Sequence, residues 1–264
     1  MDLNSDLGES FGAWSKGMDE QVIRHVTSIN AACGFHAGDP SVMERTVQLA
    51  REHGVSVGAH PGYPDLQGFG RRKLAMKPEE ARTAVMYQIG ALQAFLTAAG
   101  MRMQHVKLHG ALYNAAAEDE DLARAVCDGI RRVNPELIFL GLSGSRMLKA
   151  AGEAGLRTAG EVFADRAYED DGTLVPRNRE GAVLQDAETA AARCIRMIRE
   201  GVVESIHGKL IPVQADSICV HGDHAAALAF ARTIRKRLEE AKIRVCPLTE
   251  ALSPGSAFPA VGAD

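Results

Sequence analysis

Short apolar runs rich in β-branched residues alternate along the chain with longer segments in which apolar residues recur every three or four positions. The first pattern is typical of buried strands, and the second of helices that bury one face. Their alternation predicts repeated β-α units around a parallel sheet. The predicted strands are residues 1–4, 28–31, 55–59, 105–108, 138–142, 157–161, 217–220 and 243–246, and the predicted helices are residues 40–53, 78–99, 120–133, 145–154, 186–200 and 224–241.

The length of the chain fits one barrel of such units. A (β/α) barrel commonly takes about 250 residues, and this chain has 264 residues without a segment that reads as an interdomain linker. We therefore predict a single barrel domain over residues 1–252. The remaining residues, 253–264, are rich in Pro, Gly and Ala and are expected to form a loosely ordered tail.

Charge and composition exclude several classes of protein. The formal net charge is -4, and no basic stripe with interleaved aromatic residues is present, which argues against nucleic acid as a partner. No apolar run approaches the roughly 18 residues of a membrane span, and the N-terminus lacks a signal-peptide pattern. We therefore expect no membrane association and a cytoplasmic location. Five cysteines without a CxxC pair argue against a disulfide framework.

Polar, glycine-containing clusters follow strand after strand at the same end of the predicted barrel. A parallel barrel carries its active site at the carboxyl ends of its strands. His36, His60, His109 and His221 each follow a different predicted strand, so their imidazoles are expected to converge on one cavity. A single histidine of this kind is more often a hydrogen-bonded structural residue, but four at equivalent places favour a shared site.

Carboxylates and a lysine accompany these histidines. Asp6 and Glu9 lie three residues apart after the first predicted strand, where they can serve as base, ligand or substrate-orienting groups, or simply cap the turn. Lys107 lies two residues before His109, a spacing that puts both side chains on one face of a strand. This pair can polarise a carbonyl or hold an anion, and the alternative is a structural lysine at the barrel rim.

The segment from Gly68 to Lys73 combines glycines with adjacent cations. Arg71 and Arg72 in this segment suit an anionic ligand, such as phosphate, beneath a mobile flap, although two arginines on a solvated face are an equal alternative. The sequence contains no GxxxxGK[ST] element and no GxGxxG after a strand. Any chemistry with ATP would therefore need another phosphate cradle or another polypeptide.

A divalent metal is a further candidate for this site. Asp6, His36 and His60 offer the carboxylate and imidazole ligands that zinc and manganese accept. Cys33 lies three residues before His36 and would be a nucleophile if its pKa were lowered. We favour a small packed residue for Cys33.

The clusters also carry a family resemblance that extends over nearly the whole chain. The segments concerned are residues 2–9, 30–40, 58–61, 65–72, 105–114, 161–168 and 219–223. In these segments the chain resembles the LamB/YcsF family, the A subunits of bacterial ATP-dependent 5-oxoprolinase. It departs from the family pattern at Gly62 and Leu108, neither of which is a candidate catalytic group.

The resemblance implies a fold, a reaction and partners. The fold is an α/β structure, a distorted seven-stranded (β/α) barrel related to glycoside hydrolase and deacetylase barrels. The reaction is cleavage of 5-oxo-L-proline to L-glutamate, coupled to hydrolysis of ATP to ADP and phosphate. ATP is then a co-substrate, the partners are subunits B and C together with a small-molecule substrate, and a homo-oligomer is compatible with the family.

For this reaction we assign hypothetical roles to the clustered residues. Lys107, Arg71 and Arg72 would neutralise phosphate charge, and His60 or Asp6 would activate water. His109, assigned to the catalytic group, would also help to orient the lactam. The residues assigned to substrate binding are Asn4, Glu9, Asn30, His36, Tyr113, Asp165 and His221.

Two other functions remain open from the sequence. One is a metal-dependent hydrolase or deacetylase that acts on a sugar or an amide without ATP, for which stoichiometric zinc or manganese would be evidence. The other is a non-catalytic subunit that carries a lactam or a sugar, for which ligand binding would survive removal of the Asp and Lys side chains.

Overall fold

Seven parallel strands close into a barrel in the computed structural model, which describes residues 1–220 and 227–253. The barrel strands are β1 (Asp2–Leu7), β2 (Ser28–Ala32), β3 (Ser56–His60), β4 (Met103–Val106), β5 (Ile138–Leu142), β6 (Arg157–Phe163) and β9 (Ser217–Cys219). Their order around the barrel is β1-β2-β3-β4-β5-β6-β9, and β9 pairs with both β6 and β1. This confirms the predicted seven-stranded α/β barrel.

Helices surround the barrel and cover its outer face. Because both faces are covered, all five residues of β2 and all five of β5 are buried, as expected for strands of a parallel sheet. The helices are α1 (Asp19–Val22), η1 (Ile23–His25), α2 (Pro40–His53), α3 (Pro78–Ala98), α4 (Gly110–Glu118), α5 (Glu120–Val133), α6 (Arg146–Glu153), α7 (Ala187–Glu200), α8 (Ala227–Glu240) and α9 (Leu248–Ala251).

Local sequence explains where α2 begins and ends. The Asp39 carboxylate accepts hydrogen bonds from the backbone N–H groups of Ser41 and Val42 at 2.8 and 3.0 Å, and Pro40 occupies the first turn. Asp39 also accepts the Gly12 N–H at 2.7 Å, which ties the loop after β1 to the start of this helix. The helix ends at Gly54 in the left-handed conformation.

One predicted strand is absent from the structure, and several short elements were not predicted. Residues 243–246 are not a strand, because both edges of β1 are already paired with β2 and β9. The Cys246 N–H donates instead to the Met1 carbonyl at 2.9 Å. Helix α4 and the antiparallel hairpin of β7 (Val202–Glu204) and β8 (Leu210–Pro212) were not predicted. The short helical elements α1, η1 and α9 were not predicted either.

Two strands extend further than their hydrophobic pattern indicates. β1 continues through Asp6 to Leu7, and β6 continues through Glu161 to Phe163. The polar residues at these strand ends are therefore held by the barrel rather than by flexible turns. β4, in contrast, ends at Val106, so Lys107 and His109 follow it directly.

The longest helix, α3, has 21 residues. Among the described residues, no helix is both long and apolar enough to cross a membrane.

Candidate active site

A cavity of about 400 Å³ opens where the barrel strands end, and it brings together many of the predicted site residues. This volume is in the range of small-molecule sites in proteins. Asp6, His60 and Phe163 reach it from the ends of β1, β3 and β6. The other charged or polar lining residues are Glu9, Arg71, Lys107, His109, Tyr113, Asn114, Arg166, Arg177 and Asn178.

The Lys107 ammonium group lies at the floor of the cavity inside a buried polar network. Its Nζ contacts Asp6 Oδ1 at 3.0 Å, Glu161 Oε1 at 2.8 Å, Asn4 Oδ1 at 3.3 Å and Cys219 Sγ at 3.1 Å. Burial alone would lower the pKa of Lys107, but the Asp6 and Glu161 charges outweigh it and hold this pKa well above its ordinary value. An ammonium group has three N–H donors, and four acceptors surround this one, so all of its donors have partners. Lys107 therefore holds the Asp6 and Glu161 carboxylates in fixed orientations.

Two asparagines lie below the cavity and support the same network. The Asn30 amide donates to Asn4 Oδ1 and to Asp6 Oδ1, both at 2.8 Å. The Asn4 amide donates to Ser217 Oγ at 2.8 Å and to Glu161 Oε1 at 3.1 Å. Both asparagines are fully buried, and neither lines the cavity. The structure thus gives them a part in holding Asp6 and places them behind the cavity wall, and their assignment to substrate binding stays a prediction.

Glu161 and His105 belong to this network, and the sequence did not single them out. The Glu161 carboxylate is fully buried and accepts the Tyr113 hydroxyl at 2.7 Å on Oε2. Burial, reinforced by the Glu161 charge, raises the pKa of Tyr113 well above its ordinary value, so the phenol remains a donor. His105 Nε2 bonds Asn30 Oδ1 at 2.7 Å. The observable signal for Glu161 was its position at the end of a predicted strand.

Two histidines face each other with nitrogens that carry lone pairs. His60 Nδ1 lies 2.8 Å from the Lys107 carbonyl, and His109 Nε2 lies 2.8 Å from the Phe69 carbonyl. A carbonyl only accepts, so both of these nitrogens carry the proton in the neutral rings. The remaining nitrogens, His60 Nε2 and His109 Nδ1, are then unprotonated, and they face each other at 3.0 Å. This contact needs a proton or a cation between the rings to become favourable.

His36 and Glu9 complete a group of ligand atoms around this point. The His36 ring stacks on the His109 ring with centroids 3.6 Å apart, and neither of its nitrogens has a hydrogen-bond partner among the described residues. Glu9 Oε1 lies 3.6 Å from His36 Nε2 and 3.5 Å from His109 Nδ1. One ligand atom from each of Glu9, His36, His60 and His109 lies within 4.8 Å of the others, and all four residues are buried.

The chemistry of this donor set fits a divalent metal ion. Three imidazoles and one carboxylate are ligands that zinc accepts. Metal-binding histidines usually donate their second N–H to a carbonyl or a carboxylate, as His60 and His109 do here. Burial lowers the pKa of His36 and of His109 well below the ordinary value, with neighbouring imidazoles adding to the effect, and this favours the neutral rings that a metal requires. The group retains His36 and His60 of the predicted metal set, while Asp6 contacts it through His60 Nε2 at 3.4 Å.

The glycine-rich segment covers the histidines as a packed loop. Phe69 packs edge-on against His36 and His109 with centroids 5.7 and 5.1 Å away. Gly70 adopts φ +62°, and a Cβ there would lie 2.8 Å from His36 Cβ. The loop is anchored on α4, because the Ala111 N–H donates to the Gly70 carbonyl at 2.9 Å. These contacts pack the loop onto the histidines, and the mobility expected from the sequence stays a prediction.

The two arginines of this loop have different surroundings. Arg71 lines the cavity, whereas Arg72 does not and pairs instead with the Asp65 carboxylate. Arg72 Nε lies 3.0 Å from Asp65 Oδ1, and this partner lowers the pKa of Asp65. The structure thus brings only Arg71 of the predicted phosphate-binding pair to the site.

The remaining candidates lie away from the cavity wall or outside the described residues. Asp165 is buried and does not line the cavity. His221 lies in the part of the chain that the structure does not describe. Burial raises the pKa of Cys33 to about 12, and its thiol contacts the Ala31 carbonyl at 3.1 Å, so a packed thiol is confirmed.

A seven-stranded α/β barrel with buried histidines, carboxylates and an ammonium at its carboxyl end defines the class of this protein. The chain belongs to the LamB/YcsF family, whose model matches residues 1–253. This confirms the resemblance read from the sequence.

Named relatives and a solved structure agree with this assignment. The chain is 59% identical to the 5-oxoprolinase A subunit of Clostridium beijerinckii, over 94% of this chain and 97% of that protein. It is 57% identical to the 5-oxoprolinase A subunit of Pyrococcus abyssi, over 95% of this chain and 98% of that protein. The crystal structure of a lactam utilization protein from Thermus thermophilus is 46% identical, with a TM-score of 0.88 and coverage of 93% of this chain and 98% of that chain.

Proposed function

We propose that the chain is the A subunit of an ATP-dependent 5-oxoprolinase and that its barrel cavity is the site where the lactam ring is opened. Relatives that carry this name are 59% and 57% identical over almost the whole chain. The observation that carries the proposal is the convergence of Asp6, Lys107 and the histidine group on one cavity of suitable size.

Asp6 is the best-placed residue in the cavity to take a proton from water. Its Oδ1 accepts from Lys107 Nζ and Asn30 Nδ2, an arrangement that directs Oδ2 towards His60 Nε2 at 3.4 Å. Opening a lactam requires addition of a hydroxyl to the carbonyl carbon and a proton for the departing nitrogen. A carboxylate fixed in this way can accept the proton of water and return it to the amine.

The group of Glu9, His36, His60 and His109 would hold a divalent metal in this enzyme. A bound metal would supply Lewis acidity towards a carbonyl oxygen or a water molecule. The role of the protein residues is to keep both imidazole N–H groups on backbone carbonyls, and to exclude bulk water with Phe69. Asp6 is then separate from the metal ligands and remains available for proton transfer.

ATP enters this proposal as a co-substrate that activates the lactam. Phosphorylation of the carbonyl oxygen, with release of ADP, would remove the amide resonance, so that water adds to the carbonyl carbon and the protonated ring nitrogen departs. Hydrolysis of the acyl phosphate left behind would then release phosphate and L-glutamate. The chain carries no P-loop and no dinucleotide fingerprint, which supports partner subunits, B and C, as the source of the nucleotide site.

The cytoplasmic location that the sequence indicates stays a prediction.

Reconstitution tests the proposal. Glutamate release from 5-oxo-L-proline is measured with this chain, with the partner subunits, and with both, in the presence and absence of ATP. We expect release only when all subunits and ATP are present. Release by the partners alone at the full rate would contradict a role for this chain.

A metal-dependent amide hydrolase that needs no ATP is the second candidate, and the Glu-His group favours it. The two functions separate in the same assay, because the second predicts metal-dependent glutamate release by this chain alone. If ATP and partners are required as well as the metal, the first proposal stands.

A further inference from the structure

Three arginines share the cavity with the proposed reaction site. Arg71 comes from the loop after β3, and Arg166 and Arg177 come from the segment after β6. The sequence singled out only the first of them. The cavity therefore has an acidic and histidine-rich part at the strand ends and a guanidinium-rich part formed by loops.

Arg166 is the most unusual of these cations because it is only 5% exposed. Its Nη2 donates to the Val175 carbonyl, but its Nε has no hydrogen-bond partner among the described residues. A buried guanidinium with an unpartnered N–H is costly unless a ligand completes its contacts. Arg166 also lines the cavity, so its guanidinium is close to any anion that enters.

Neighbouring charges increase this cost. Burial lowers the pKa of Arg166 to about 10, and the cationic Arg177 and Arg71 contribute to this lowering, while Asp165 acts in the opposite direction. Like charges repel more strongly in a cavity walled by protein than in water. Binding of an anion would relieve the repulsion, and arginine matches the oxygens of carboxylate and phosphate in two-point contacts.

We infer that Arg166 and Arg177, with Arg71, form an oxyanion subsite that binds the carboxylate or phosphate group of a small ligand in this cavity. The choice of ligand rests on the proposed function, because 5-oxo-L-proline carries a carboxylate and an ATP-activated lactam carries a phosphoryl group. With its anionic end on the arginines, the ligand presents its other end to Asp6 and the histidine group. The subsite thus sets the orientation and the class of substrate.

Calorimetric titration of the full chain tests this subsite with three probes. These are 5-oxo-L-proline, inorganic phosphate and 2-pyrrolidinone, which has the same lactam ring without the carboxylate. The first variant is Arg177→Gln, at a half-buried position. The second is Arg166→Lys, which keeps the positive charge but loses the planar guanidinium that can contact two oxygens at once. Arg179→Gln is the matched control, because Arg179 lies two residues away, pairs with Glu169 and does not line the cavity.

We expect an anionic probe to bind the wild-type chain at least about tenfold more tightly than 2-pyrrolidinone. Arg177→Gln should raise the Kd of that probe about tenfold, a loss of about 1.4 kcal/mol, and Arg179→Gln should leave it unchanged. An effect on 5-oxo-L-proline alone identifies a carboxylate subsite, and an effect on phosphate alone identifies a phosphate subsite. Arg166→Lys is interpreted only if its circular dichroism matches the wild type.

The inference is overturned if neither anion binds the wild-type chain, or if Arg177→Gln binds the anions as the wild type does. Failure of the proposed function gives a different result. If reconstitution yields no glutamate while anion binding still depends on Arg177, the subsite is supported and the proposed function is contradicted. If the enzyme with Arg177→Gln releases glutamate at the wild-type KM and kcat, the proposed function is supported and the subsite is contradicted.

Discussion

His60 Nε2 and His109 Nδ1 face each other at 3.0 Å, and this contact decides what the histidine group can hold. The outer nitrogen of each ring, His60 Nδ1 and His109 Nε2, lies 2.8 Å from a backbone carbonyl, which favours the tautomer with its proton on that side. A cation between the rings would replace a repulsion between lone pairs with two coordination bonds. The His36 ring, whose nitrogens lack hydrogen-bond partners among the described residues, and the Glu9 carboxylate supply the remaining ligands.

Metal analysis tests this account at the scale of residues. The chain purified without chelator should carry about one divalent ion, because one carboxylate and three imidazoles converge on a single point. His36→Gln should lose most of it, since the amide replaces an imidazole ligand. The measurement is elemental analysis after gel filtration, with His53→Gln at an exposed helix end as the control. Equal metal content in both variants would rule out His36 as a ligand.

Gly58 is a second residue whose identity the site requires. A Cβ at this position would lie 2.2 Å from His105 Nε2, the atom that bonds Asn30. Gly58→Ala should therefore lower the free energy of unfolding by about 1–3 kcal/mol through overpacking. Gly90→Ala in α3, where a Cβ meets nothing within 4 Å, should instead raise it by roughly 0.5–1 kcal/mol. Urea denaturation measures both, and equal effects would disprove the steric explanation.

Short element α1 carries a titratable group that ties the first loop to the barrel. Asp19 Oδ2 accepts the Gly8 N–H at 2.8 Å, and burial, reinforced by the Glu9 charge, raises the pKa of Asp19 to about 6. Because the folded state holds this proton more tightly, the stabilising contribution is full below the ordinary value of 3.8 and is lost as the pH rises to about 6.

Asp19→Asn removes this titration and keeps an oxygen that can accept the Gly8 N–H. The free energy of unfolding of the variant, relative to the wild type, should rise between about pH 4 and 6, by at most about 1.4 kcal/mol per pH unit. Denaturation at a series of pH values on both proteins measures the difference. A difference that stays constant with pH would show that Asp19 titrates normally.

The barrel and most of its elements could be predicted from the sequence, because the hydrophobic pattern marks buried strands and helix faces. The largest missed elements, α4 and the β7-β8 hairpin, were missed for physical reasons. Helix α4 begins inside a polar cluster at Gly110, and its short alanine-rich segment gives a weak periodic pattern. The three-residue strands of the β7-β8 hairpin are too short to show alternation.

The candidate site was only partly predictable, for reasons of distance in the sequence. Asp6, Lys107 and His60 follow strands, and the rule for parallel barrels places them at one end. The contact between Glu161 and Lys107, and the burial of Arg166, depend on side chains from different parts of the barrel. A local sequence pattern cannot predict contacts of this kind. Arg72 pairs with Asp65 while its neighbour Arg71 lines the cavity, so adjacent residues can have different partners.

Closure of the whole barrel depends on the short strand β9. The Ser217 hydroxyl of this strand accepts the Asn4 amide at 2.8 Å and donates to the Asp2 carboxylate, so it links β9 to β1. Ser217→Ala leaves both partners buried with fewer hydrogen bonds and should cost about 1–3 kcal/mol. Exposed Ser41→Ala in α2 should change the free energy of unfolding by less than about 0.5 kcal/mol. Thermal and urea unfolding compare them, and equal stabilities would contradict the role of Ser217.

The most direct test of the central claim is the rate of glutamate release by the reconstituted enzyme with Asp6→Asn in this chain. The asparagine keeps an oxygen for Lys107 but cannot accept a proton from water. We predict that kcat falls at least about 100-fold, while Asp121→Asn, at an exposed position of α5, keeps the wild-type rate. A wild-type rate for Asp6→Asn would contradict the assignment of this cavity as the place where the lactam is opened.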